Sequence, residues 1–323
     1  MTQSVDVPLW GWVLFNSLLV VMLLLDLLVF HRNPHRVSVK EAILTSAGWI
    51  AVALVFNVFL YWRMGPEAGI TFLTGYLIEK ALSVDNLFVF AAIFAHFRVP
   101  AESQHRLLFW GVVGALLMRG TMIIAGAELL ARAHWIFYVF GALLIYTGIK
   151  MARPNKEVEV NPSRNPVVRW ARRIMRVTDD YEESKFFVRR NGLLYATPLF
   201  VVLLMVETTD LVFAVDSIPA IFAITLDPFI VYTSNALAIL GLRALFFVLA
   251  HVINSFRYLG TGLALVLVFI GAKMLLVEVV HVPVAVSLAV VAGVLAVAVG
   301  MSILLPQPQP QPQPQPSRQS WEA

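Results

Sequence analysis

Two apolar stretches carry carboxylates where a bilayer would exclude them. The first reads Glu79-Lys-Ala-Leu-Ser-Val-Asp85-Asn86, the second Glu207-Thr-Thr-Asp210-Leu-Val-Phe-Ala-Val-Asp216-Ser-Ile-Pro219. An ionised residue at the bilayer centre costs roughly 2.5–3.5 kcal/mol, so five unpaired acids would cost on the order of 12–18 kcal/mol. A cation, protons or basic groups must offset that cost. Carboxylate, amide and hydroxyl oxygens suit the hard ions Mg²⁺, Ca²⁺ and Mn²⁺, whereas zinc and copper favour histidine and cysteine. The chain has no cysteine, which removes disulfides, thiolate sites and cysteine nucleophiles. Its histidines, at 31, 35, 96, 105, 134, 251 and 281, fall in loops or near span ends. The expected chemistry is coordination of a hard divalent cation by Glu79, Asp85, Asn86, Glu207, Asp210 and Asp216. Spacing alone does not choose among the three ions.

Helical geometry refines the expectation. Glu79 and Asn86 share a face, as do Glu207 and Asp210 at i, i+3. Asp85 and Asp216 point elsewhere on ideal helices. Ser217-Ile218-Pro219 is expected to open the helix just after Asp216, because proline removes a donor and clashes with the preceding turn. The freed carbonyls would then line a cavity, and both sets of acids would converge. Arg119 and Arg243, near mid-span, are the candidate charge partners. Five acids against those two arginines, or against three bases with Lys80, still leave two or three negative charges. Asp26 either snorkels to water or lines the ion path, and Asn235 is either a ligand or an interhelical hydrogen bond. Glu128, Glu278, Lys150 and Lys273 read as solvated or snorkelling groups near span ends. Trp10, Trp12, Tyr61 and Trp62 read as interface anchors.

The elements that position these residues must be membrane spans. The 323 residues are 59% hydrophobic and 14% charged, against about 25% charged in soluble domains. Apolar stretches long enough to cross roughly 30 Å of hydrocarbon recur throughout. We read nine spans: 9–30, 41–62, 70–95, 106–128, 134–152, 194–218, 229–251, 256–278 and 283–305. The first lacks a basic lead and a cleavage site, so it reads as a retained helix. Arg32, Arg36, Lys40, Arg98 and Arg106, with eleven Lys or Arg between Lys150 and Gly192, put the N-terminus outside and the C-terminus in the cytoplasm. The whole of 1–305 is thus one all-α transmembrane domain. The 153–192 loop reads as a cytoplasmic connector whose later part forms a surface helix, with a partner-docking role as the alternative. The Pro-Gln alternation in 306–323 reads as a disordered tail.

Three short matches recur in order. Glu79-x5-Asp85-Asn86 pairs with Asp210-x5-Asp216-Ser217. Ala115-Leu-Leu-Met-Arg119 pairs with Ala238-Ile-Leu-Gly-Leu-Arg243, one residue longer. Gly148-Ile-Lys150-Met151 pairs with Gly271-Ala-Lys273-Met274. Spans 3–5 (about 70–152) therefore correspond to spans 6–8 (about 194–278). An offset of three spans inverts the second copy, an arrangement that places substrate sites between the copies.

The two acidic segments resemble the paired signatures of the TerC family of bacterial membrane proteins. The likeness extends over about residues 9–305, and the extra N-terminal spans look most like its Alx branch. That branch carries the label of a membrane-bound redox modulator, the family is named for tellurium resistance, and members are linked to manganese export. Neither motif departs from the family pattern; the Pro-Gln tail lies outside it. By resemblance, Glu79, Asp85, Glu207, Asp210 and Asp216 take the place of the family's membrane acids.

The leading reading is an inner-membrane exporter of Mn²⁺, with Ca²⁺ second, using proton exchange at the same acids and no permanently bound cofactor. Its partners are the lipid bilayer and the metal ion, with no nucleic acid; a homo-oligomer and a partner at 153–192 stay open. The alternative is a non-transporting scaffold or a redox or tellurium stress factor acting through the cytoplasmic loop. We read no enzyme. An intramembrane aspartyl protease using Asp85 and Asp216 is opposed by the additional acids and the lack of a Gly-x-Gly-Asp segment.

Overall fold

The computed structural model describes residues 7–26, 39–133, 135–152, 166–178, 180–182, 184–190, 192–252, 258–280 and 282–305. The Pro-Gln tail, the first half of the 153–192 loop and the side chain of Asp85 lie outside the described residues. The apolar stretches satisfy their backbone groups internally, as hydrocarbon demands. They form α1 (Leu9–Leu25), α2 (Val39–Met64), α3 (Pro66–His96), α4 (Ala101–Arg132) and α5 (Ile136–Ala152). A small element follows, made of α6 (Pro166–Ile174), β1 (Phe187–Arg190) and β2 (Leu193–Ala196). The second half holds α7 (Pro198–Phe222), α8 (Pro228–Leu240), α9 (Leu242–Val252), α10 (Leu259–Leu275) and α11 (Val284–Leu304).

Helices α2, α4, α7 and α11 are long and apolar enough to cross a membrane. The pair α8–α9 makes a fifth candidate, bent by 43°, while α1, α5 and α10 are shorter apolar helices. Exposed Val55, Val58 and Trp62 on α2 and Val297, Ile303 and Leu304 on α11 give the bundle an apolar outer surface. The protein is a mostly helical, multi-pass integral membrane protein.

Local sequence sets several helix starts. Pro66, Pro198 and Pro228 stand first in α3, α7 and α8, where a missing N–H costs nothing. Gly65 takes φ +96°, a left-handed turn that lets α2 fold back into α3. Asp227 caps α8, its Oδ1 accepting from the N–H groups of Phe229 (2.9 Å) and Ile230 (3.1 Å).

Three expectations are corrected. The sixth span does not begin at 194: Leu193–Ala196 pairs antiparallel with Phe187–Arg190, and the helix starts at Pro198. Proline pushes the residue before it out of the helical region, and Thr197 is extended, with ψ 164°. The helix does not open after Asp216: α7 continues through Pro219 to Phe222. Pro219 stands in the last turn, where it removes a single donor, and Ser217 to Phe222 are all buried, so packing holds the turn closed. The break falls in the seventh span instead, at Gly241.

Packing is closest between α5 and α10. A Cβ on Gly141 would lie 3.0 Å from the Gly271 carbonyl oxygen, and one on Gly271 would lie 2.6 Å from that of Gly141. Small residues here let the backbones touch. Helix α3 packs against α7 and α8, and α4 against α7. Helix α1 docks by aromatic contacts, Trp12 meeting Phe229 edge-on at 5.1 Å and Tyr232 donating to Asn16 Oδ1 at 2.7 Å. The α6–β1–β2 element folds onto the turn between α3 and α4. Tyr181, its hydroxyl pKa pushed up by burial, donates to the Phe97 carbonyl at 2.8 Å, and Arg106 lies over the Phe186 ring at 5.4 Å.

Candidate functional site

Helices α3, α4 and α7 meet at Arg119, which is 1% exposed. Its Nε and Nη2 donate to Asp210 Oδ2 (3.2 Å) and Oδ1 (3.0 Å), a bidentate pair. Its Nη1 donates to Glu79 Oε1 and, at 3.3 Å, to Ser217 Oγ. Glu79 is fully buried and accepts further bonds from Ser83 Oγ (3.2 Å) and Asn235 Nδ2 (3.0 Å). Ser83 is one turn from Glu79, and Ser217 two turns from Asp210, so each helix presents a single polar stripe to the guanidinium.

The remaining predicted ligands spread around this knot. Glu207, one turn before Asp210, lies against Gly114 of α4, where any side chain would overlap its carboxylate. Its Oε2 is buried without a hydrogen-bond partner, as is Oδ1 of Asn235. Asp216 accepts from Thr147 Oγ1 of α5 at 3.0 Å. Asn86 is buried on the inner part of α3. The expected convergence of both sets of acids is therefore partial. Glu79 and Asp210 meet, while Asp216, six residues beyond Asp210 on an unbroken helix, points roughly 120° away from it around the axis. Among the described residues, no three histidine or acidic side chains lie close enough together to hold a metal ion.

Arg243 pairs with an acid of α1: its Nη2 lies 2.6 Å from Asp26 Oδ1, both groups buried. Asp26 accordingly is buried at the end of α1 and does not snorkel to water. The bend at Gly241 starts α9 in a new direction and turns Arg243 towards α1. Lys80 donates to the Ala238 carbonyl at 3.2 Å, in the last turn of α8, where the break leaves carbonyls without helical donors. Asn235 makes an interhelical bond to Glu79. Near the span ends, Glu128 is exposed and paired with Arg132, and Lys150 and Glu278 are exposed. Lys273, expected to snorkel, instead donates to Ser287 Oγ at 2.9 Å from a half-buried position.

Sequence reasoning missed Ser83, Thr147, Ser217 and Gly114. The two serines stood inside the acidic motifs at helical spacing from Glu79 and Asp210 and could have been found; Gly114 carried no signal. A cleft of about 690 Å³ opens where α3 begins and α7 ends, lined by Ile70, Phe137, Phe222, Lys273 and Glu278 among others. None of the predicted site residues lines it.

Comparison with known proteins places this arrangement. An uncharacterised membrane protein of Myxococcus xanthus, STKORF319, is 53% identical over 270 residues, covering 83% of this chain and 84% of its own. The proteins of Salmonella typhi and Escherichia coli K12 named Alx, each described as a proposed membrane-bound redox modulator, are 50% and 49% identical over 289 residues. Each of those matches covers 86% of this chain and 89% of the relative. No solved structure matches the chain. The family model described as integral membrane protein TerC family matches residues 64–309, from the turn before α3 to beyond the end of α11. That match includes both acidic segments and every helix that contributes to the Arg119 knot, and with it the protein belongs to the TerC family.

Proposed function

We propose that the protein exports a hard divalent cation, Mn²⁺ before Ca²⁺, across the bacterial cytoplasmic membrane, with the carboxylates of α3 and α7 as transient ligands. One observation carries this: the membrane carboxylates of α3 and α7 outnumber the bases paired with them. Glu79 and Asp210 share Arg119, while Glu207 and Asp216 stand half-buried on the same helix as Asp210 without pairing with that arginine, and Lys80 is engaged at the α8 carbonyl end instead of with an acid. A divalent cation balances the surplus, and protons exchanging at the same groups balance it in the cation's absence. The ligands offered are oxygens of carboxylates, amides and hydroxyls, which suits this ion class.

The proposal includes nine spans, an N-terminus outside and a C-terminus inside, with α3–α5 and α7–α10 as inverted copies. In support, each predicted apolar stretch coincides with one helix or with the bent pair. The packing of α3 on α8 also has its counterpart in α7 on α4, with α5 and α10 touching across the pseudo-axis. On this reading the cation enters from the cytoplasm, sheds water onto the acids, and leaves as one copy rocks against the other.

The test is Mn²⁺ flux in proteoliposomes, wild type against Asp216→Asn, with Ca²⁺, Mg²⁺ and Zn²⁺ as competitors. Flux that needs Asp216 and is competed by hard ions supports the reading; no flux of any cation, with or without a proton gradient, rejects it. A second reading, docking of a partner, draws on exposed Trp170 and Ile174 on α6. Replacing both by serine leaves flux unchanged if transport is the function. The redox modulation named for the Alx relatives has no thiol to act through in this chain.

A further inference from the structure

The Arg119 knot raises a question that transport alone does not answer: what stands between Glu79 and Asp210 when no cation is bound. Two buried carboxylates from different helices approach each other there, and a dry interior would drive them apart. The guanidinium sits between them, giving both oxygens of Asp210 a donor and bonding Glu79 and Ser217 from the same planar group. All three charged groups are at most 3% exposed. Helical side chains lean towards the N-terminus of their helix. On α4 that direction runs towards Gly114, about 7.5 Å along the axis. Glu207 lies there, its Oε2 buried and without a partner.

Resting on the transport reading above, we infer that Arg119 is the built-in counter-ion of the empty carrier: it occupies the cation position between Glu79 and Asp210, yields it to the arriving metal, and moves to Glu207. The empty protein can then change its facing without exposing two bare carboxylates to the membrane interior. The loaded protein keeps the guanidinium paired as well. Arg119 is in this view a positioning residue, competing with the cargo for the same two acids.

The distinguishing measurement compares net Mn²⁺ efflux with Mn²⁺–Mn²⁺ exchange in proteoliposomes, alongside Mn²⁺ binding to purified protein. Net efflux requires the empty carrier to return, whereas exchange does not. In Arg119→Gln, Mn²⁺ binds about tenfold more tightly, within the usual range for removal of a coupled competitor. Net efflux falls about tenfold further than exchange. Weaker binding, or equal loss of both fluxes, overturns the inference. Arg119→Lys keeps the charge but cannot hold both acids at once, and it decides the matter should the glutamine variant not fold. There binding tightens about threefold and net efflux again falls further than exchange; a parallel fall overturns the inference. Wild-type protein that neither exchanges nor exports Mn²⁺ rejects the transport reading itself, a result distinct from failure of the Arg119 variants.

Discussion

Arg119 in α4 and Arg243 in α9 end two sequence segments that match each other, and both are buried, but their surroundings differ. Arg119 is shared by two carboxylates from two helices, with Glu207 unsatisfied nearby. Arg243 bonds Asp26 through its Nη2, at 2.6 Å to the carboxylate and 3.4 Å to the backbone carbonyl, which ties α1 to the bent span. The Arg243–Asp26 pair joins the end of α1 to α9 and serves as a clamp. A cation shared by surplus acids is in an arrangement that another cation can enter. The difference between the two arginines therefore lies in which helices supply the acids they bond, not in the arginine.

Substitutions that break this comparison should act in a definite order. Asp210→Asn removes the bidentate acceptor and a proposed ligand together, and Mn²⁺ flux per folded molecule should fall about 100-fold, the equivalent of one strong charged interaction. Asp26→Asn removes the carboxylate that Arg243 bonds at 2.6 Å. It should destabilise the protein by about 3–5 kcal/mol in thermal or denaturant unfolding in detergent, with flux per folded molecule retained. Should Asp26→Asn abolish flux in folded protein, the clamp would have to be counted as part of the site.

Smaller effects sharpen the contrast. In Gly241→Ala the new methyl would meet Lys80 Nζ at 2.7 Å and Trp49 Cβ at 3.2 Å. The end of the lysine must shift, weakening its bond to the Ala238 carbonyl, and a loss of up to about 1.5 kcal/mol of stability is expected. Glu128→Gln breaks only the exposed pair with Arg132 and should change stability by less than about 0.5 kcal/mol. A larger loss there would show that surface ion pairs hold this bundle in a way the buried ones were thought to.

Much of this was legible in the sequence because charge inside an apolar run is conspicuous. The acids, Arg119 and the helical stretches follow from hydropathy and spacing. What was not legible depends on neighbours distant in sequence. The direction of Arg243 is set by a bend at Gly241, whose only trace was the extra residue in the match between Ala115–Arg119 and Ala238–Arg243. The persistence of α7 through Pro219 reflects packing around Ser217–Phe222, which overrode a local rule. The β1–β2 hairpin was hidden because Leu193–Ala196 runs directly into an apolar helix and reads as its first turn.

The contact between α5 and α10 has a mechanical consequence. Gly141 and Gly271 bring two backbones into contact, with Ile145, Met274 and Leu275 packed around them, so this seam has little soft layer to compress. Two rods pressed together in this way can roll or pivot about their line of contact but cannot easily be squeezed closer or sheared. On the transport reading the seam is a bearing for the two halves, and a single methyl at either glycine would be a shim that tilts α5 against α10.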